Sequence, residues 1–161
     1  MSTMPEVGQI APDFEGLNQY GEPVRLSDFR GQKVALYFYP KDNTPGCTRQ
    51  AKSLKEGWEL LKEAGITVIG VSPDTVESHA AFAQKHDLPF LLISDPDHHI
   101  AELYGVWGER NLYGRKFMGI KRTTFLIDEQ GVIRKIIKRP HVKDHAREVL
   151  EAWKALEAAG A

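Results

Sequence analysis

The sequence predicts an α/β domain with a mixed central sheet flanked by helices, and three observations carry that prediction. Two uninterrupted apolar runs, Val34-Ala35-Leu36-Tyr37-Phe38-Tyr39 and Ile66-Thr67-Val68-Ile69-Gly70-Val71, read as strands buried on both faces. Between them lies a helix, so the two strands pair in parallel. Near the end, Thr123-Thr124-Phe125-Leu126-Ile127 and Val132-Ile133-Arg134-Lys135-Ile136-Ile137 flank the turn Asp128-Glu129-Gln130-Gly131 and add a hairpin.

The elements follow in chain order. Phe14-Glu15-Gly16-Leu17 and Val24-Arg25-Leu26, around Tyr20-Gly21, predict a small N-terminal hairpin extension. After the first long strand, bounded by Gly31 and Pro40, come the turn residues Lys41-Asp42-Asn43 and a helix with Pro45 in its first turn. Thr44 is the expected cap, Ala51, Leu54, Trp58 and Leu61 form the apolar face, and Gly65 is the expected stop. Asp74-Thr75-Val76-Glu77 reads as a capping box with Asp first, opening a helix that runs to about His86. Phe90-Leu91-Leu92-Ile93 is a further strand and 98–104 a short helix; an irregular stretch then leads to the late hairpin. A last helix over 142–158 carries the stripe Val149, Leu150, Trp153 and Leu156. Parallel units followed by an antiparallel hairpin and a final helix match thioredoxin-like architecture.

Composition narrows the function. At 161 residues a single domain, 1–161, is expected. No apolar run is long enough to suggest a membrane span, and a net charge of −1 gives no general attraction to nucleic acid. Met1-Ser2-Thr3-Met4-Pro5-Glu6 lacks the basic start and apolar core of a secretory signal, so a cytoplasmic location is expected. One cysteine cannot form an internal disulfide, which agrees with a reducing compartment.

That cysteine, Cys47, falls in the first turn of the helix after the first long strand. Unpaired backbone N–H groups at a helix N-terminus favour negative charge, and the thiolate is the nucleophilic form of cysteine. Gly46 removes a side chain beside the sulfur, which favours a small substrate. Thr44, three residues earlier, shares a helical face with Cys47 at about 5–6 Å between Cβ atoms, so a hydroxyl that can both donate and accept sits beside the sulfur. Pro40 has no N–H and can wall the pocket against water. Each of the two also has a purely structural use, Thr44 as a cap and Pro40 as a strand end.

The run Pro40-Lys41-Asp42-Asn43-Thr44-Pro45-Gly46-Cys47-Thr48-Arg49-Gln50 resembles the peroxidatic signature of peroxiredoxins, Pro-x-x-x-Thr-x-x-Cys, in the form of the bacterioferritin-comigratory, or Q-type, subfamily of AhpC/TSA-like proteins. Ala11-Pro12-Asp13-Phe14, Leu26-Ser27-Asp28-Phe29-Arg30-Gly31 and Arg122-Thr123-Thr124-Phe125-Leu126-Ile127-Asp128 resemble family segments in the same order. The resemblance implies Cys47 as peroxidatic nucleophile, Thr44 as the peroxide-orienting hydroxyl, Pro40 as the shield and Arg122 as the activating cation, with Gln50 supporting the arginine. It implies a thiol peroxidase that reduces hydrogen peroxide and organic hydroperoxides without a cofactor or metal, in antioxidant defence, as a monomer or possible dimer. By residue type alone, Arg122 reads as a solvated arginine at a strand edge and Gln50 as an exposed helix residue.

The chain departs from the family at Lys52, where many members of the subfamily carry a resolving cysteine. A sulfenic acid at Cys47 then needs an external thiol: a thioredoxin-like or glutaredoxin-like protein, a low-molecular-weight thiol, or Cys47 of a second molecule. Disulfide oxidoreductase chemistry needs Cys-x-x-Cys, and Thr48-Arg49-Gln50 follows Cys47. A peroxide sensor or thiol-dependent chaperone would use the same cysteine without turnover. A metal site is disfavoured: of His79, His86, His98, His99, His141 and His145, only the last pair has one-turn spacing, and isolated exposed histidines are usual. The basic residues Arg110, Arg115, Lys116, Lys121 and Arg122 are weighed as a partner-docking surface against plain solvation, and Tyr104, Val106, Trp107, Leu112, Tyr113, Phe117 and Met118 of the same segment as pocket lining or a subunit contact.

Overall fold

The long strand runs of the sequence sit side by side at the centre of a mixed sheet in a computed structural model that describes residues 3–160. The elements are β1 (Glu15–Leu17), β2 (Pro23–Arg25), β3 (Lys33–Phe38), α1 (Pro45–Glu56), α2 (Trp58–Glu63), β4 (Ile66–Ser72), α3 (Val76–His86), β5 (Leu91–Ser94) and α4 (His99–Leu103). They continue with β6 (Trp107–Leu112), β7 (Arg115–Ile120), β8 (Thr123–Ile127), β9 (Ile133–Ile137) and α5 (His145–Gly160). Among the described residues the main sheet runs β2-β1-β5-β4-β3-β8-β9, with β3, β4 and β5 parallel and β8 and β9 antiparallel beside them. The N-terminal hairpin extends it through a single register pair, Leu17 with Ser94.

Strand alternation divides the core. Ala35, Tyr37 and Tyr39 face one side and pack with Cys47, Leu54, Leu61, Phe82, Val149 and Trp153 from four helices. Val34, Leu36 and Phe38 face the other and pack with Phe14, Ile100, Tyr104 and Phe125. Both faces of β3 are thus covered, which is why it reads as a continuous apolar run. Membrane burial is not the reason, since none of the described helices is long and apolar enough to cross a bilayer.

Three local readings need correction. The helix after β3 breaks at Gly57, where an added Cβ would lie 2.4 Å from the Ala146 Cβ, so α5 approaches too closely for any side chain and Trp58 starts a new helix. The cap of α3 is Thr75, whose side chain accepts from Ser78 N at 3.1 Å, while Asp74 turns toward Ser72 and Asp42. The stretch before β8 is ordered as the antiparallel ribbon β6–β7, from Trp107↔Ile120 to Leu112↔Arg115. Its turn uses Tyr113 and Gly114 at φ 52° and 79°, a left-handed pair that a tyrosine does not advertise. Tyr104 and Val106 enter the core and Trp107 stacks on His98 at 3.6 Å, whereas Tyr113, Phe117 and Met118 point to solvent. The Leu112 side chain, Met1 and Ser2 lie outside the described residues.

Candidate active site

The end of β3 delivers the segment that carries Cys47. Tyr39 N still donates to Val71 O at 3.1 Å, but Pro40 has no N–H to offer and the ladder stops there. Residues 40–44 turn the chain into α1, with Asn43 in the left-handed region at φ 64°. Thr44 occupies the N-cap position with extended backbone, and Pro45 takes the first helical position, where its missing N–H costs nothing. The Thr44 hydroxyl is not the cap that its position predicts. It donates back to Lys41 O at 2.9 Å, which commits its hydrogen and leaves its lone pairs free to accept one.

Cys47 follows in the first turn, only 2% exposed, so a substrate that reaches its sulfur has to be small at the reacting end. Arg122 Nη2 lies 3.3 Å from Cys47 Sγ, and Arg122 Nη1 donates to Gln50 Oε1 at 2.5 Å. The antiparallel register of β8 on β3, with Thr123 opposite Phe38, brings a residue 75 positions away to the strand end that launches Cys47. Arg122 is half-buried and Gln50 fully buried, so neither is the solvated residue that its type alone suggests. The room that Gly46 leaves is filled from the protein itself: a Cβ there would sit 3.2 Å from Arg122 Nη2.

Together these groups place a fixed cation and a helix N-terminus against one buried sulfur, and both stabilise negative charge on it. The guanidinium also offers hydrogens to any oxygen on which charge builds beside the sulfur. Two polar atoms near this centre have no hydrogen-bond partner among the described residues, Tyr37 Oη and Gln50 Nε2. Burial holds the Tyr37 phenol well above its ordinary pKa, and the negative charges of Cys47 and Asp42 add to this. It therefore remains a neutral hydroxyl.

Pro40 is half-buried at the lip of this centre. Cys47, Arg122 and Gln50 are joined by direct contacts, while Thr44 and Pro40 bracket the loop that carries the cysteine. Two residues of chemical weight were not singled out from the sequence. Asp42, read there as a turn residue, is 4% exposed, and His79, read as an isolated surface histidine, is completely buried against it at 2.8 Å. His145 is buried as well, and both its ring nitrogens are engaged, by Thr124 and Glu148, which removes it from any pairing with His141 on a metal. For the two histidines a polar residue at a helical period that faces the core was the available signal, whereas Asp42 lies in a loop and had none.

The family model described as the AhpC/TSA family matches residues 7–136, and this chain belongs to that family. Peroxiredoxin Bcp of Bacillus subtilis (strain 168) is 47% identical over 149 residues, covering 92% of this chain and 95% of that protein. A cysteine-to-serine variant of PrxQ from Xylella fastidiosa superposes with a TM-score of 0.88 at 33% identity, over 96% of this chain and 98% of its own. The Xanthomonas campestris bacterioferritin comigratory protein, studied for alkyl peroxide reduction, superposes with a TM-score of 0.82 at 34% identity, over 88% and 90%. The thioredoxin-like fold expected from element order is the fold of these peroxiredoxins.

Proposed function

We propose that the protein is a one-cysteine thiol peroxidase in which Cys47 reduces hydrogen peroxide and organic hydroperoxides. The Cys47 thiolate attacks the terminal peroxide oxygen, the S–O bond forms as the O–O bond breaks, and water or an alcohol leaves after taking a proton. The product on the enzyme is a sulfenic acid. Arg122 holds the thiolate and meets the charge that develops on the departing oxygen. Thr44 accepts the peroxide O–H through the lone pairs that its bond to Lys41 O leaves free, and Pro40 keeps water from the sulfur. The observation that carries this reading is the 3.3 Å contact between Arg122 Nη2 and a buried sulfur at a helix N-terminus. The alkyl peroxide activity of the Xanthomonas relative supports organic hydroperoxides as substrates.

Since the sequence holds no second cysteine, the sulfenic acid is resolved by an external thiol, thioredoxin-like, glutaredoxin-like or of low molecular weight. That thiol displaces water to give a mixed disulfide, and a second thiol frees Cys47. Such a cycle suits a reducing compartment such as the cytoplasm. The test is the second-order rate of Cys47 thiol loss with hydrogen peroxide, folded against unfolded. A folded rate orders of magnitude faster supports the peroxidase; equal rates would reduce Cys47 to an ordinary thiol. Repeated turnover with an added thiol separates the enzyme from a sensor, which stops after one oxidation.

A further inference from the structure

The loop over residues 40–44 holds two of the proposed site residues and sets where α1 begins, so whatever fixes this loop fixes the peroxide geometry. Lys41 and Asn43 point to solvent, and only Asp42 turns fully inward. Its carboxylate accepts from Tyr39 Oη at 2.6 Å and from Ser78 Oγ at 2.8 Å, and lies 2.8 Å from His79 Nδ1. The Asp42 N–H donates to Asp74 Oδ2 at 2.8 Å, and Ser72 Oγ donates to the same oxygen at 2.5 Å. The loop is thereby tied to the end of β4 and to α3.

His79 is the pivot. It is completely buried, and its Nε2 lies 3.1 Å from the Ile93 carbonyl of β5. Its two ring nitrogens thus reach in opposite directions, Nε2 to a backbone carbonyl and Nδ1 to the Asp42 carboxylate. The ring therefore spans from the loop to a central strand. A buried carboxylate with three side-chain partners, two of them hydroxyl donors, is costly to assemble and strongly directional once made.

We infer that Asp42 and His79 are a positioning pair that sets the rate of peroxide reduction by holding the loop in its reactive shape, although neither touches the substrate. The inference rests on the peroxidase reading above. In-line attack demands that Thr44, Arg122 and the sulfur meet the peroxide together, and a misplacement of about 1 Å costs about a hundredfold. Alkylation of the same sulfur by iodoacetamide needs only the thiolate and room to approach.

The experiment measures both rate constants for Cys47, with hydrogen peroxide and with iodoacetamide, in the full-length protein, and takes their ratio. His79→Leu is expected to lower the ratio about a hundredfold, and His79→Gln, which keeps one donor, to restore part of it. A role confined to stability would lower the thermal midpoint and leave the ratio of the folded protein unchanged. Because His79→Leu puts an apolar side chain against the buried Asp42 carboxylate, Ser78→Ala and Tyr39→Phe serve as milder variants that each delete one donor. They are expected to lower the ratio about two- to tenfold. Folded variants with the wild-type ratio overturn the positioning role, and if His79→Leu does not fold, the two milder variants decide. A wild-type peroxide rate no faster than that of the unfolded chain overturns the peroxidase reading itself, an outcome recognisable before any variant is made.

Discussion

His79 and His145 are both completely buried, and each has both ring nitrogens within hydrogen-bond distance of a partner. They differ in what they hold. His145 joins Thr124 on β8 at 2.9 Å to Glu148 on its own helix at 2.8 Å, and its backbone N–H donates to Ser53 Oγ at 3.1 Å, so it fastens regular elements to one another. His79 fastens a loop, the one that leads into Cys47. The same residue type bolts the scaffold in one place and, in the role proposed above, sets the candidate site in the other. The proposed roles differ accordingly: loss of the cluster that ends on regular elements is expected in stability, and loss of the one that ends on the loop in rate.

That distinction can be broken, and the largest expected effect lies at the sulfur. Arg122→Ala should lower the peroxide rate constant about a hundred- to a thousandfold, the scale seen when one donor to a developing oxyanion is removed. Stopped-flow measurement of thiol loss checks it, and an unchanged rate would detach Arg122 from catalysis. Thr44→Val keeps the shape and removes the hydroxyl, so the same assay should show a loss of about ten- to a hundredfold, the worth of one hydrogen bond to a charged centre. A loss below twofold would assign Thr44 to the loop alone.

On the scaffold side, His145→Leu should leave the peroxide rate of the folded protein near that of the wild type. It should cost about 1–3 kcal/mol in denaturant unfolding, the price of stranding buried partners. A collapse in rate with stability intact would erase the contrast between the clusters. The smallest effect concerns Glu148. Burial pushes its carboxyl up, but hydrogen bonds from the His145 ring and His141 N outweigh this and hold it below its ordinary value of 4.5. A depressed carboxylate stabilises the fold at pH above 4.5, and that contribution disappears as pH falls through the lower folded value. The stability gap between the wild type and Glu148→Gln should therefore be present at neutral pH and close in acid; a gap that widens in acid contradicts the sign.

The main sheet, its strand order in the chain and the place of Cys47 were legible because apolar runs and helical periods are local signals. The candidate site was legible in part. Position at a helix start marks Cys47 by physical argument, whereas Arg122 joins it through a pairing of β3 with β8 that no spacing along the chain reveals. Asp42 and His79 were misread because a polar residue in a turn or on a helix is solvated far more often than buried, and only packing shows the exception. The ribbon β6–β7 was missed because its turn rests on Tyr113 and because its pairing leaves Phe117 and Met118 facing solvent.

By itself, then, the sequence determined the α/β class, the buried central strands and the place of its one cysteine at a helix start, all set by residue type and local order. Tertiary structure decided which cation meets the sulfur, which histidines are buried, and which carboxylate anchors the loop. The physical reason is that hydrogen bonds and ion pairs act over a few ångströms, and only folding brings Cys47 within 3.3 Å of Arg122 and Asp42 within 2.8 Å of His79.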